Sequence, residues 1–340
     1  MALDIVVNIS QAAITGTVGF GNPLLLVSKA ATAVEYTECD KLSKVATLLG
    51  ENSDAYKAAD LLWAQDNPPE KIAVCAVTSK ADAGIDALLD REWRQLLVFT
   101  AAEGDSTKAE IAAKVEGRTD KMYYTTVSST SELTALAGKE NTVCFYYPTE
   151  GFANYAVAAV VGASAGLKAG GFTYKNLIIA GLEPLNLSDD DLTALHAITS
   201  GNNSKASAFT VVKKAGDIVT SEGTTASGEY VDVVDSKHWI IQNIEYDTQK
   251  KLNVEAKVPY TDVGISSLST ITANVLKRAF DNGMIATDED GLTPLYSVNF
   301  KNRAAMSAED RKNRIYTGGN FTFTLAGAIH NAVINGELVI

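Results

Sequence analysis

The chain has 340 residues, 46% of them hydrophobic, and a formal net charge of −12 from 41 acidic and 29 basic residues. That is enough apolar material for a sizeable core, expected to divide into two domains, and the acidic balance argues against a nucleic-acid partner, which leaves a basic, aromatic-interleaved footprint. No apolar run approaches the ~20 residues that span a bilayer, so no membrane insertion is expected; residues 153–170 come nearest but are Ala/Gly-rich and interrupted by Ser164 and Lys168.

The first ten residues set Leu3, Ile5, Val7 and Ile9 against Asp4, Asn8 and Ser10, the period of two that marks a half-buried strand. With Asp4 so near the start they do not read as a basic, apolar leader, and synthesis and folding in a cytoplasm are expected. A glycine-rich stretch follows at 15–23 (TGTVGFGNP). It lacks the Gly-Lys-Ser/Thr and the helix of a phosphate-binding loop. Pro23 and an apolar run come next instead, so the stretch reads as a neck between a strand-like arm and the body.

From Val34 onward strands and amphipathic helices alternate. Asn52 and Ser53 can cap a helix with Tyr56, Ala59, Leu62 and Trp63 on one face; Asn67-Pro68-Pro69 ends that segment, and 71–77 (KIAVCAV) is a buried strand. A helix near 79–89 leads to a strand at 95–100, and a helix near 105–115 leads to a strand at 122–127. A short helix from Ser129 or Thr130 to Ala137, a strand at 142–147, a helix after Phe152, a strand at 176–180 and a helix capped at Ser188 and reaching about Ile198 complete the series. The pattern predicts a layered α/β fold, a sheet with helices on its faces, without the fixed period of a repeat array.

Past a polar loop at 200–207, residues 208–212 and 217–220 read as a β-hairpin turning through 213–216 (KKAG). A second helical layer is expected at 229–244, carrying Tyr230, Val233, Val234, Ile240, Ile241 and Ile244, and at 265–280, carrying Ile265, Leu268, Ile271, Val275, Leu276 and Phe280 before Gly283 as a stop. A strand at 295–300 and a short helix capped by Ser307, with Asp310 at its third position, bring the chain to its last strands. Residues 300–316 hold five cations, Lys301, Arg303, Arg311, Lys312 and Arg314, against Glu309 and Asp310, so this segment is positive in an acidic chain. Gly318-Gly319 opens the final stretch. Phe321, Phe323 and Leu325 alternate with Thr322, Thr324 and Ala326, and Ile329, Val333, Ile334, an Asn335-Gly336 turn signal, Leu338 and Ile340 follow. Both ends are thus apolar and strand-forming, where chain ends are ordinarily polar and loose. They either pair with each other or an edge of their own domain, or they leave the subunit and add strands to a neighbour's sheet.

Little in the sequence asks for chemistry. Cys39, Cys75 and Cys144 stand at no metal spacing and read as reduced packing residues. His196, His238 and His330 are far apart and read as satisfied or surface histidines. The acids after Ser188 suit the first turn of a helix, and Asp288-Glu289-Asp290-Gly291 lacks the pattern of a calcium loop. There is no nucleophile elbow, HExxH or dinucleotide fingerprint. No catalytic, metal or cofactor residues are therefore assigned.

Four stretches, in order, carry a likeness: 56–65 (YKAADLLWAQ) through 68–74 (PPEKIAV), 221–234 (SEGTTASGEYVDVV) leading into Trp239, 258–265 (VPYTDVGI), and 310–314 (DRKNR) before the terminal strands. Together they resemble the tail sheath proteins of contractile bacteriophage tails and of phage-tail-like bacteriocins. The resemblance implies a non-enzymatic structural subunit that forms hexameric rings stacked helically around a tail tube and contracts to drive the tube through a bacterial envelope. It implies a fold that is α/β (α+β overall): an N-terminal strand arm at 1–15, an outer α/β domain at 16–225, an inner, tube-facing α+β domain at 226–318 and a C-terminal strand arm at 319–340. In that family the two arms are exchanged between subunits. The arm residues would then be Leu3, Ile5, Val7, Ile9, Phe321, Phe323, Leu325, Ile329, Val333, Ile334, Leu338 and Ile340, and the tube-facing candidates Lys301, Arg303, Arg311, Lys312 and Arg314. Implied partners are further copies of the chain, the tail tube protein, and baseplate and tail terminator proteins, with neither nucleic acid nor cofactor. The implied place is a virion tail or phage-tail-like particle assembled in the host cytoplasm. Two other readings stay open on the residues alone: an α/β enzyme binding a small ligand at the carboxyl ends of its strands, and another tail or capsid component.

Overall fold

Leu24, Leu25 and Leu26 are all fully buried because the strand that carries them lies inside a sheet covered on both faces. In the computed structural model, which describes residues 22–100, 103–196 and 205–332, β1 (Pro23–Ser28), β2 (Val34–Cys39), β3 (Ile72–Ala76), β4 (Gln95–Thr100), β5 (Met122–Val127) and β6 (Thr142–Tyr146) form one sheet in the order β2-β3-β1-β4-β5-β6. All pairs are parallel except β2 with β3. Parallel strands buried on both faces are continuously apolar, as PLLLVS, IAVCA and QLLVFT are.

Successive side chains feed opposite cores. Leu25, Val74, Leu97 and Tyr124 point to one face, beneath α1 (Leu42–Leu49), α2 (Asp54–Trp63) and, further on, a helix at 157–165. Leu24, Leu26, Cys75 and Leu96 point to the other, under α3 (Ala81–Asp86) and α4 (Lys108–Val115). The helix at 157–165 is α5 (Val157–Ala165), and every one of its residues is buried. It crosses α2 so closely that a Cβ on Gly162 would lie 2.2 Å from the Leu62 carbonyl oxygen; only glycine fits there. Cys39, Cys75 and Cys144 are buried free thiols. On the edge strand β2 the register slips between Val34 and Thr37, and Glu38 pairs with Lys71 at 2.8 Å. A bulge and charged side chains are the usual means of blunting a sheet edge.

Helix starts follow local chemistry. Ser53 Oγ accepts the Tyr56 amide at 3.1 Å, and Thr107 with Glu110 forms a capping box. The residues 176–180 do not form the expected strand. Asn176 takes a left-handed conformation (φ 63°), which breaks extended pairing, and only Ile178 bridges to Val219. The expected helix at 129–137 is a tighter 3₁₀ turn over Glu132–Leu136, and α1 was not apparent from the sequence: Lys41 gives it no side-chain cap.

After α6 (Asp189–His196), the hairpin of β7 (Val211–Lys214) and β8 (Asp217–Thr220) turns on Ala215 and Gly216, both at positive φ (52° and 103°), as a two-residue hairpin loop requires. Then come α7 (Val231–Val254) and α8 (Asp262–Asp281), a helical pair, followed by β9 (Tyr296–Phe300), α9 (Ala308–Asn313) and β10 (Gly319–Phe323). α7 runs ten residues beyond the expected 229–244, since its apolar stripe stops at Ile244 while helix-forming polar residues carry on to Val254. Ile240, Ile244, Val275, Leu276 and Met284 form a third core.

α7 carries a buried acid. Glu245 is 4% exposed, its Oε2 has no hydrogen-bond partner, and burial, then the Asp120 carboxylate, pushes its pKa from 4.5 up to about 7. A carboxyl with a raised folded-state pKa holds its proton more tightly in the native state, so stability is expected to fall as pH rises from about 4.5 to about 7 and then to level. Glu245→Gln should flatten that slope, which denaturation midpoints across a pH series would read. A variant with the wild-type slope would assign the effect elsewhere.

Candidate assembly surface

The third core has a two-stranded lid. β9 and β10 pair antiparallel, with Phe321 opposite Val298 and Phe323 opposite Tyr296. The Phe321 and Phe323 rings lie parallel with centroids 6.2 Å apart, and with Tyr296 and Val298 they pack on α7 and α8. The other face is polar, where Ser297 and Thr322 hydroxyls meet at 2.8 Å. Beyond β10 the chain stays on its own subunit: Leu325 bridges to Ile285 and the Ala326 amide donates to the Met284 carbonyl at 2.9 Å. Among the described residues no third strand joins this ribbon. A two-stranded ribbon is marginal alone, and its open edges are places where another chain can add a strand.

Of the expected arm residues, Phe321 and Phe323 are therefore on β10 and half-buried against the chain's own helices, Leu325 is half-buried beside Ile285, and Ile329 is 89% exposed. Leu3, Ile5, Val7, Ile9, Val333, Ile334, Leu338 and Ile340 lie outside the described residues.

The basic segment surrounds α9. Ser307 Oγ accepts the Asp310 amide at 2.9 Å, as the sequence predicts, and Arg314 closes the helix in a left-handed conformation (φ 59°). Arg311 differs from the other cations: its guanidinium donates to the carbonyls of Arg303 and Met306 and is spent on holding this loop. Lys301, Arg303, Lys312 and Arg314 are exposed, with no acidic partner within salt-bridge distance among the described residues. Beside them Tyr260 donates to the Ile315 carbonyl at 3.1 Å and meets the Tyr316 ring edge-on. Val263 and Ile315 are 79% and 53% exposed. The segment thus presents four free cations around an apolar patch.

A buried polar network joins α7 to the large sheet. Arg94, preceding β4 and 2% exposed, donates to Asp235 Oδ1 at 2.5 Å and to His238 Nδ1 at 3.1 Å. Tyr174 donates to Asp235 Oδ2 at 2.9 Å, which leaves Tyr124, 3.1 Å away, as the donor to Tyr174. Burial, then the Arg94 charge, pushes the His238 pKa down to about 2, so the ring is neutral and its Nδ1 accepts. Sequence reasoning treated His238 as isolated. The signal was an Asp and a His three residues apart on an otherwise apolar helix stripe, but their shared partner, Arg94, lies more than 140 residues away.

The remaining candidates are occupied. His196 Nε2 meets Ser221 Oγ at 2.9 Å, and burial lowers its pKa. Asp191 accepts from the Ser188 hydroxyl at 2.6 Å as part of a helix start, and Asp290 takes the Leu292 and Thr293 amides, both at 2.8 Å, in a turn. Among the described residues there is no cluster of three metal-ligating side chains and no helix long and apolar enough to cross a membrane.

This architecture is found in solved assemblies. A chain of the anti-feeding prophage (AFP) baseplate, 6-fold symmetrised, superposes with a TM-score of 0.73 over 100% of both chains at 12% identity. A chain of the PVC sheath complex of an extracellular contractile injection system, in the contracted state, gives 0.72 over 99% of this chain and 96% of that one, also at 12%. The sheath tail protein Lin1278 from Listeria innocua gives 0.57 over 91% and 96%, at 9%. The fold is that of contractile-tail sheath proteins. Residues 231–337 match the family described as E217 tail sheath protein gp31-like, C-terminal domain. Comparison with curated proteins returns no match.

Proposed function

We propose that the chain is the subunit of a sheath built as hexameric rings stacked helically around a tail tube, whose contraction drives the tube through a bacterial envelope. The sheet and its helices, 16–225, form the outer domain, residues 226–318 the inner domain facing the tube, and 1–15 and 319–340 contain the arms that cross to neighbouring subunits. The observation that carries this reading is the open-edged ribbon of β9 and β10 in a chain with the sheath fold over its full length and strand-patterned ends. A ribbon without further strands among the described residues, in a chain whose two ends carry strand-forming patterns, would be completed by strands from other copies. Further partners are the tube protein and the baseplate and terminator proteins at the two ends. The location is a virion tail or phage-tail-like particle assembled in the host cytoplasm. Electron microscopy of the purified protein tests the reading: helical sleeves are expected, and discrete small oligomers would overturn it.

The tube contact is assigned to the exposed cations of the basic segment. Each exposed pair is worth only about 0–1 kcal/mol, but repetition around every ring multiplies it, and salt-screened pairs can release. Replacing Lys301, Arg303, Lys312 and Arg314 by Gln, with Arg311 kept because it holds the loop, should permit free sleeves yet weaken assembly on tubes, most at low salt. Tube-templated assembly equal to wild type across a salt series would remove this surface from the tube contact.

A further inference from the structure

Between Ala326 and Ile329 the chain is exposed on every residue, Ile329 reaching 89%, and then a single side chain turns inward. The His330 side chain is only 11% exposed. Its Nε2 lies 2.9 Å from Thr173 Oγ1, its Nδ1 lies 3.3 Å from Glu222 Oε1, and its ring meets Tyr230 edge-on with centroids 4.7 Å apart. The socket is lined by two acids. Glu222 Oε2 is taken by Lys175 at 2.9 Å, while Glu222 Oε1 has no aligned donor and Asp232 Oδ1, within electrostatic reach of the same ring, is buried with none. Two carboxylate oxygens left short of donors in a buried setting are costly, and the His330 ring is the group placed beside both.

Resting on the arm-exchange reading above, we infer that His330 is a positioning residue that pins the C-terminal segment to its own subunit, so that the part given to a second copy of the chain begins only beyond it. This narrows the exchanged arm from 319–340 to the last residues. β10 belongs to the subunit's own ribbon, Leu325 and Ala326 continue on the 284–286 segment, and His330 is the last fastening among the described residues. The socket joins three elements: the loop at Thr173, the segment at Glu222 and the start of α7 at Tyr230 and Asp232. It thereby sets both the point and the direction of departure. Ile329, facing out one residue earlier, is left for the neighbour.

The test compares His330→Ala, His330→Gln and a chain ending at residue 332. His330→Ala should leave the monomer folded, speed amide exchange over residues 326–332 at least about tenfold with α8 unchanged, and raise the concentration needed for sleeves about tenfold, with poorer helical order in the sleeves that form. His330→Gln, which can still donate in the socket, should recover part of both. A His330→Ala protein with wild-type exchange over 326–332, or with wild-type sleeve order and assembly concentration, overturns the latch. The truncated chain separates the two readings. If it makes normal sleeves, arm exchange at this end falls and the latch with it; if it makes none while His330→Ala behaves as wild type, the latch alone falls.

Discussion

Removal of residues 1–12 is expected to give a folded monomer that forms no long sleeves. The described cores begin at Leu24, and the six described strands of the large sheet run from Pro23 onward, so the deletion takes none of these strands. On the proposed arm exchange, what the deletion removes is connection between subunits. A short strand added to an open edge makes several backbone hydrogen bonds of about 0.5–1.5 kcal/mol net each and buries Leu3, Ile5, Val7 and Ile9 at about 1.5–3 kcal/mol apiece. With every 1.4 kcal/mol worth tenfold, losing one such joint per subunit ends assembly at any practical concentration. Circular dichroism and sedimentation would establish the folded monomer, and microscopy the missing sleeves. Long sleeves from the shortened chain would show that the N-terminal segment is no arm.

Arg94→Met should be the most damaging single substitution in the body of the protein, at about 3–5 kcal/mol, because it strips a buried carboxylate of its cation. Asp235 is 6% exposed and would keep only the Tyr174 hydroxyl. Arg94→Met combined with Asp235→Asn should regain most of the loss, since the amide still accepts from Tyr174 and no charge remains buried. Chemical denaturation of both variants decides it. A single variant within about 0.5 kcal/mol of wild type, the usual range for surface changes, would mean the network is not what fastens α7 to the sheet.

The layered fold was legible because its strands are short, continuously apolar runs such as KIAVCAV and QLLVFT, separated by capped helices. The layered sheet with helices on its faces that they imply is the one found, parallel but for β2. Ser53 and Ser307 were readable as caps because each needs only a partner three residues on. Failures arose where one backbone angle or a distant partner decides. Asn176 turns an apolar strand-like run into a loop through a single positive φ, and α7 outlasts its apolar stripe. The same distinction governs the assembly surface. The charge excess at 300–316 was countable in the sequence, but that Arg311 spends its guanidinium on its own loop was not. The alternation of Phe321 and Phe323 announced a strand, whereas its partner β9, in the same chain, could be assigned only from the fold.

The blunted edge of β2 has a consequence for the life of the protein before it assembles. On the proposed function the subunit would accumulate in many copies, and a large apolar sheet with a receptive border would let those copies fuse border to border into aggregates. The slipped register between Val34 and Thr37 and the Lys71–Glu38 pair make that border a poor template. On the proposed assembly, strand addition is then left to the small ribbon. A border that resists pairing would let such a subunit reach high concentration before it assembles.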